Sequence, residues 1–161
     1  MYPLITTDVE PLDSAGFHCS DPASNQFLQR SAYNQHAGLA SRTWVLRRSS
    51  DDPDHLPPVY GFYTLVVGNL ASGSTSASAV LMPHFAIHDA VARKGFGRIL
   101  LADALMRCAA VTKSAGALTI VATSRTDYGR EWIDRHDFRH IGGGRHFLAM
   151  ALAIRALSAG A

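Results

Sequence analysis

Apolar and polar positions fall into several distinct rhythms along this chain. Phe27, Leu28, Ser31 and Ala32 recur at the three-and-four spacing of one buried helical face. Asp21 and Pro22 read as N-cap and first helical residue before that face, and Gly38 as its stop. Residues 43–46 and 59–67 are rich in β-branched and aromatic side chains and predict strands. Between them, residues 49–58 carry three aspartates and three prolines, a surface loop joining a hairpin. Residues 68–78, built from Gly, Ser, Ala and Thr with little else, read as a soft surface connection. Residues 80–88 predict another strand. From Gly97 the pattern turns helical, with Leu101, Ala104, Leu105 and Cys108 on one side. Asp103 and Arg107, four apart, are expected as an exposed pair on the other side. Gly116 ends this helix, and residues 117–123 form an apolar strand. A short helix opened by Ser124, Thr126 or Asp127 runs to about His136. Residues 139–141 and 146–150 flank Gly142, Gly143 and Gly144 as a terminal hairpin. The order predicts a mixed sheet covered by helices, an α/β or α+β layered domain.

Composition narrows the class more than the function. The chain has 161 residues, 47% hydrophobic and 17% charged, which favours one domain spanning 1–161 and excludes a disordered chain. Fifteen basic and thirteen acidic residues leave a formal charge of +2, so bulk charge points to no partner. Arg125, Arg130, Arg135, Arg139 and Arg145 punctuate the last third, and Arg42, Arg47 and Arg48 the first. Acidic residues concentrate at positions 51–54, so charge segregation is expected: a basic face suited to a nucleic-acid backbone, or else scattered solvated arginines. Cys19 and Cys108 lie far apart without metal-ligand spacing, and Cys108 falls on the apolar helix face as a small core residue. No metal site is expected. No apolar run reaches the roughly 18 residues that span a bilayer, and residues 1–8 lack a signal-peptide pattern, so a cytoplasmic location is expected.

The segment with most chemistry is the passage from strand to helix at residues 88–98. Gly95 and Gly97 let the main chain pass close to a ligand, and the first turn of the helix leaves backbone N–H groups without partners. The helix dipole adds positive potential there, and Arg93, Lys94 and Arg98 add three cations. A pyrophosphate matches that arrangement. The other reading is an ordinary glycine-bearing turn with a solvated basic face; the three cations weigh against it. A P-loop is ruled out by spacing, and a dinucleotide fingerprint by Leu100 in place of a third glycine.

This stretch resembles the acetyl-coenzyme A signature of the GCN5-related N-acetyltransferase (GNAT) superfamily, Gln/Arg-x-x-Gly-x-Gly/Ala. Ala92, Arg93, Lys94, Gly95, Phe96 and Gly97 stand in its six places, with Ala92 at the Gln/Arg position. Diffuse similarities run on either side. Phe17, His18 and Cys19, then Phe27, Leu28, Ala32 and Gln35, resemble the opening of GNAT toxins from bacterial toxin–antitoxin modules. Residues 60–65 resemble their Gly-aromatic-Tyr strand, residues 83–88 the strand beside pantetheine, and residues 132–138 and 146–150 the last helix and strand. The resemblance implies a GNAT fold, a mixed, mostly antiparallel central sheet flanked by helices. It implies acetyl-CoA bound by Ala86, Ile87, His88, Arg93, Lys94, Gly95, Phe96, Gly97 and Arg98. It also implies acetyl transfer to the α-amine of aminoacyl-tRNA, which blocks translation. A DNA-binding antitoxin of ribbon-helix-helix type, and a homodimer, are the partners that follow.

The toxin family places its acid tyrosine in Phe-Tyr-x-x-x-Gly-Phe. Here Trp132, Ile133 and Asp137 precede Phe138, so isoleucine stands for the tyrosine and aspartate for the glycine. The chemistry survives that loss in principle. A thiol of pKa about 8.5 leaves without full protonation, and an α-amine of pKa roughly 7.7–8.0 keeps a usable neutral fraction, whereas a lysine near 10.4 does not. Tyr128, Ser124 and His88 are the candidate replacements, His88 together with Asp89 as a proton relay. Tyr128 lies about 140° around the helix from Ile133, and Ser124 is as well placed to be a helix cap. Two alternatives remain beside the toxin: a GNAT enzyme acting on a small amine or protein N-terminus, and a catalytically silent fold that binds acyl-CoA or a partner.

Overall fold

A computed structural model describes residues 6–72, 74–117 and 119–149. Its elements are β1 (Thr7–Asp8), α1 (Pro22–Arg30), α2 (Ala32–Ala37), β2 (Arg42–Arg47), β3 (Val59–Ser72), β4 (Thr75–Ile87), a 3-10 turn (Asp89–Val91), α3 (Phe96–Ala115), β5 (Thr119–Thr123), α4 (Asp127–Asp134), β6 (Arg139–Gly142) and β7 (Arg145–Ala149). Strand neighbours follow the order β1-β2-β3-β4-β5-β7-β6. β1 pairs antiparallel with β2, and β7 antiparallel with β5 and β6. β4 and β5 run parallel. The result is the expected mixed, mostly antiparallel sheet with helices.

Two compact units share β3, β4 and α3 between them. One is built on Leu4–Thr64 with His84–Asp103. Its core clusters Val9, Phe17, Cys19, Leu28, Ala32, Val45, Val59, Phe62 and Ala86, with Phe27 packed against it. The predicted first helix is two. Asp21 caps α1 by accepting from the Ala23 N–H, and Gly38 follows α2, but Ser31 breaks the run with φ −128°. Leu28 and Ala32 are buried on either side of that break, so the expected face persists across both helices.

Asp103 corrects the expectation of an exposed pair. It is 3% exposed, and one of its carboxylate oxygens accepts from the Tyr63 hydroxyl at 2.6 Å and from Thr6 Oγ1 at 2.5 Å. A buried carboxylate needs such donors. Both come from residues far away in the chain, so the helical pattern alone did not show them.

Among the described residues, the other unit is built on Leu65–Pro83 with residues 104–149. Here the soft connection of residues 68–78 is corrected too: β3 and β4 continue through almost all of it as one long hairpin. Gly73 lies outside the described residues. Gly68 makes room for Leu81, whose Cδ1 would stand 2.7 Å from a Cβ at that position. Ile120, Ala122 and Leu148 are buried along β5 and β7, and Cys108 is 1% exposed on α3, in the core as expected. Burial pushes its thiol up to about 12, and that of Cys19 up to about 11. The end of the predicted last strand, Met150, lies outside the described residues. Among the described residues no helix is long and apolar enough to cross a membrane.

Candidate functional site

The passage from β4 into α3 is built from backbone pins. At the end of β4, the His88 N–H donates to the Tyr60 carbonyl at 2.8 Å. Gly61 lets β3 lie close by, since a Cβ there would stand 2.7 Å from the Ala86 carbonyl oxygen and from Ile87 Cδ1. The His88 ring then starts the 3-10 turn: Nδ1 accepts from the Ala90 N–H at 3.0 Å, and Nε2 donates to the Gly16 carbonyl at 2.9 Å. Both nitrogens therefore have backbone partners. That makes His88 a cap and a strut, and leaves it no free nitrogen for the proton relay expected of it. Its neighbour Asp89 takes His18 Nδ1 at 2.7 Å.

After the 3-10 turn the chain reverses. Arg93 has φ +62° and Gly95 φ +91°, with Lys94 between them on the ordinary side. Backbone hands alternating in this way form an anion-binding concavity from successive N–H groups. Gly95 has open space where a Cβ would be, so its φ, and not crowding, requires glycine. α3 begins at once with Phe96 and Gly97. Among the described residues no backbone carbonyl accepts from the N–H of Gly95, Phe96 or Gly97, and the Arg98 N–H reaches only Gly95 O at 3.2 Å. The side chains of Arg93, Lys94 and Arg98 are exposed around this bend. Open donors, dipole and cations together fit a diphosphate, and no Cβ obstructs them.

The second predicted region lies at the end of β5. The parallel ladder to β4 stops at Met82↔Ala122, where Pro83 follows without an N–H. The Pro83 carbonyl accepts from the Arg125 guanidinium at 2.9 Å instead. Thr126 caps α4, accepting from the Gly129 N–H at 3.0 Å. Ser124 is held closely. Its N–H donates to Gly144 O at 2.7 Å and its hydroxyl leans on Thr126 O at 3.3 Å. A Cβ on Gly129 would come within 2.6 Å of the Ser124 hydroxyl oxygen, and one on Gly144 within 2.5 Å of the Ser124 carbonyl oxygen.

On α4, Tyr128 is 49% exposed and Ile133 5% exposed, so they occupy different sides as the helical angle demands. Trp132 is half-buried against His136, with ring centroids 4.2 Å apart. Asp137 has φ +66°, and Phe138 beyond it is buried. Aspartate is one of the few side chains that adopt this conformation readily. Aspartate thus takes up the conformation that the resembled motif gives to glycine, whereas Ile133 carries no hydroxyl.

Sequence reasoning missed His146. It is fully buried on β7 with neither ring nitrogen hydrogen-bonded, Nε2 3.3 Å from Asp134 Oδ1 and its ring 5.1 Å from that of His140. Only its alternation with Leu148 along β7 hinted that it faces inward. The arginines divide. Arg47 is pinned to the buried Asp13, and Arg48 donates to carbonyls of the acidic loop. Arg130 and Arg135 pair along α4 with Asp127 and Glu131, while Arg139 and Arg145 are exposed on the last hairpin.

No family model matches the chain. A curated tRNA-acetylating toxin from Mycobacterium tuberculosis is 25% identical over 136 residues, 78% of each chain. Among solved structures, a tyrosine-to-phenylalanine variant of the toxin AtaT superposes with a TM-score of 0.82 in two complexes. One holds the C-terminus of the antitoxin AtaR, the other adds acetyl-CoA. Identity is 19% and 18%, covering 95% of this chain and 97% of the other. A similar variant of KacT gives 0.77 at 21% identity, over 94% and 98% of the two chains.

Proposed function

We infer that this chain, which has the GNAT fold, is an acetyl-CoA-dependent N-acetyltransferase that modifies the α-amine of aminoacyl-tRNA; a relative bears the name tRNA-acetylating toxin. The observation that carries the reading is the bend at Arg93 and Gly95, with the open N–H groups of Gly95, Phe96 and Gly97 at the start of α3. Those donors hold the diphosphate, and Arg93, Lys94 and Arg98 balance its charge. Acetyl-CoA supplies an acetyl thioester, activated for attack by an amine. Ala86 and Ile87 would hold the pantetheine arm at the end of β4. An α-amine suits a site without a strong base, because an adequate fraction is neutral near pH 7. Ser124 and Tyr128 are the candidate hydroxyls before and on α4, Ser124 held in place and Tyr128 at the surface. The exposed Arg139 and Arg145 suit a tRNA backbone. The enzyme works in the cytoplasm, where charged tRNA is found, and is neutralised by an antitoxin.

Ile133 favours a second reading, a fold that binds acyl-CoA without turnover. Calorimetry with acetyl-CoA and radiolabelled acetyl transfer to charged and uncharged tRNA decide between them. Binding with label on charged tRNA alone supports the enzyme. Binding with no acetylated amine of any kind supports the silent fold, transfer to small amines or protein N-termini supports the other acceptors, and absence of binding removes all three.

A further inference from the structure

One residue outside the glycine turn touches both parts of the cofactor site. Tyr60, on β3, is 2% exposed. Its carbonyl accepts the His88 N–H at 2.8 Å, fixing the end of β4. Its ring packs on Phe96, with centroids 4.7 Å apart at 48°. Phe96 lies between the two glycines of the bend and provides one of the open N–H groups. The Tyr60 hydroxyl in turn donates to Asp52 Oδ2 at 2.9 Å.

Asp52 belongs to the acidic loop that the function left unused, and the loop is firmly tied. The Ser49 N–H donates to the same Asp52 oxygen at 3.0 Å. Arg48 donates to the carbonyls of Asp54 at 2.7 Å and Leu56 at 3.1 Å, and its own N–H bonds Pro58 O at 2.9 Å. A chain of contacts therefore runs from the anchored loop through Asp52 and Tyr60 to the first residue of α3. An aromatic ring held at its far end by a hydrogen bond has less freedom to tilt than one held by packing alone.

We propose that Tyr60 is a positioning residue for acetyl-CoA, its ring clamped by Asp52 so that it holds Phe96 and the amides of the bend in the geometry that receives the diphosphate. The inference rests on the acetyl-CoA reading of that bend. It also gives the acidic loop a purpose: Asp52 serves as an acceptor, and its negative charge is incidental to binding.

The test is calorimetry of acetyl-CoA on the full chain, with thermal unfolding and steady-state acetyl transfer beside it. Tyr60→Phe removes the hydroxyl and keeps the ring. It should weaken acetyl-CoA binding and raise its KM about three- to tenfold, the ratio one hydrogen bond produces, while kcat and the acceptor KM stay unchanged. Asp52→Ala should do the same. Asp52→Asn, which keeps an acceptor oxygen and drops the charge, should restore the wild-type affinity. Unchanged affinity in Tyr60→Phe overturns the proposal, as does a lowered Tm with unchanged affinity, or Asp52→Asn as weak as Asp52→Ala. Failure of the unaltered protein to bind acetyl-CoA overturns instead the cofactor reading beneath it.

Discussion

The bend before α3 and the corner before α4 both depart from the pattern they resemble, and the departures differ in kind. In the bend, Ala92 stands where the resembled pattern has a longer polar side chain, but the groups assigned to the diphosphate in our proposal are main-chain amides whose direction is set by φ at Arg93 and Gly95. In the corner, Ile133 stands where the resembled motif has its tyrosine, and it is buried. Asp137 makes the contrast sharper, because there the demand is purely conformational and aspartate meets it at φ +66°. A site written in backbone survives side-chain exchange as long as its dihedral angles survive. A site written in one side chain does not.

The strongest way to break this contrast is to change the backbone site where it depends on dihedral angle. Gly95→Val puts a β-branched residue at φ +91°; the unbound chain relaxes out of the bend, and acetyl-CoA affinity should fall roughly 5- to 150-fold by calorimetry, the ratio that restoring 1–3 kcal/mol of backbone strain produces. Gly97→Val should also weaken binding, by obstructing the cradle from within the first turn of α3; normal binding would mean the diphosphate sits elsewhere. Next comes restoration of the lost acid. Ile133→Tyr should raise kcat about 100-fold, the low side of a general acid's contribution, with acetyl-CoA KM unchanged. Overpacking of a buried position should at the same time destabilise the protein by about 1–3 kcal/mol. A folded variant with unaltered kcat would show that α4 does not serve the leaving thiolate. A smaller effect is expected at Asp137→Gly, which should raise stability in urea unfolding by up to about 1 kcal/mol, strain relieved less the freedom glycine adds to the unfolded chain. Smallest of all is thiol chemistry. With Cys19 raised to about 11 and Cys108 to about 12, a maleimide at pH 8 should label neither in the native protein and both after denaturation. Native labelling of Cys108 would bring a nucleophile back into consideration.

The same contrast explains what was legible in the sequence. The bend could be read because everything it needs is local: two glycines, three cations and a helix start within a few residues. Gly116 as stop was readable for the same reason, and Thr126 as one of three candidate caps. The long β3–β4 hairpin was hidden because small residues at positions 68–78 carry little strand preference of their own, and pairing with a neighbour decides their conformation. Asp103 was misplaced because its donors, Tyr63 and Thr6, are remote in sequence. The break at Ser31 escaped notice because the buried face runs through it unaltered. His88 looked like a free titrating group at a strand end until its two backbone partners, one of them 72 residues away, were in view.

Ser124 has a notch for its setting, and both walls of the notch are hydrogen atoms. A single methyl on Gly129 would collide with its oxygen on one side, and a methyl on Gly144 with its carbonyl on the other. The two glycines leave the alcohol and the carbonyl of Ser124 the room they occupy. Positions 129 and 144 consequently exclude any side chain, and an exhaustive substitution scan should find both among the least forgiving in the chain, although neither bears a charge.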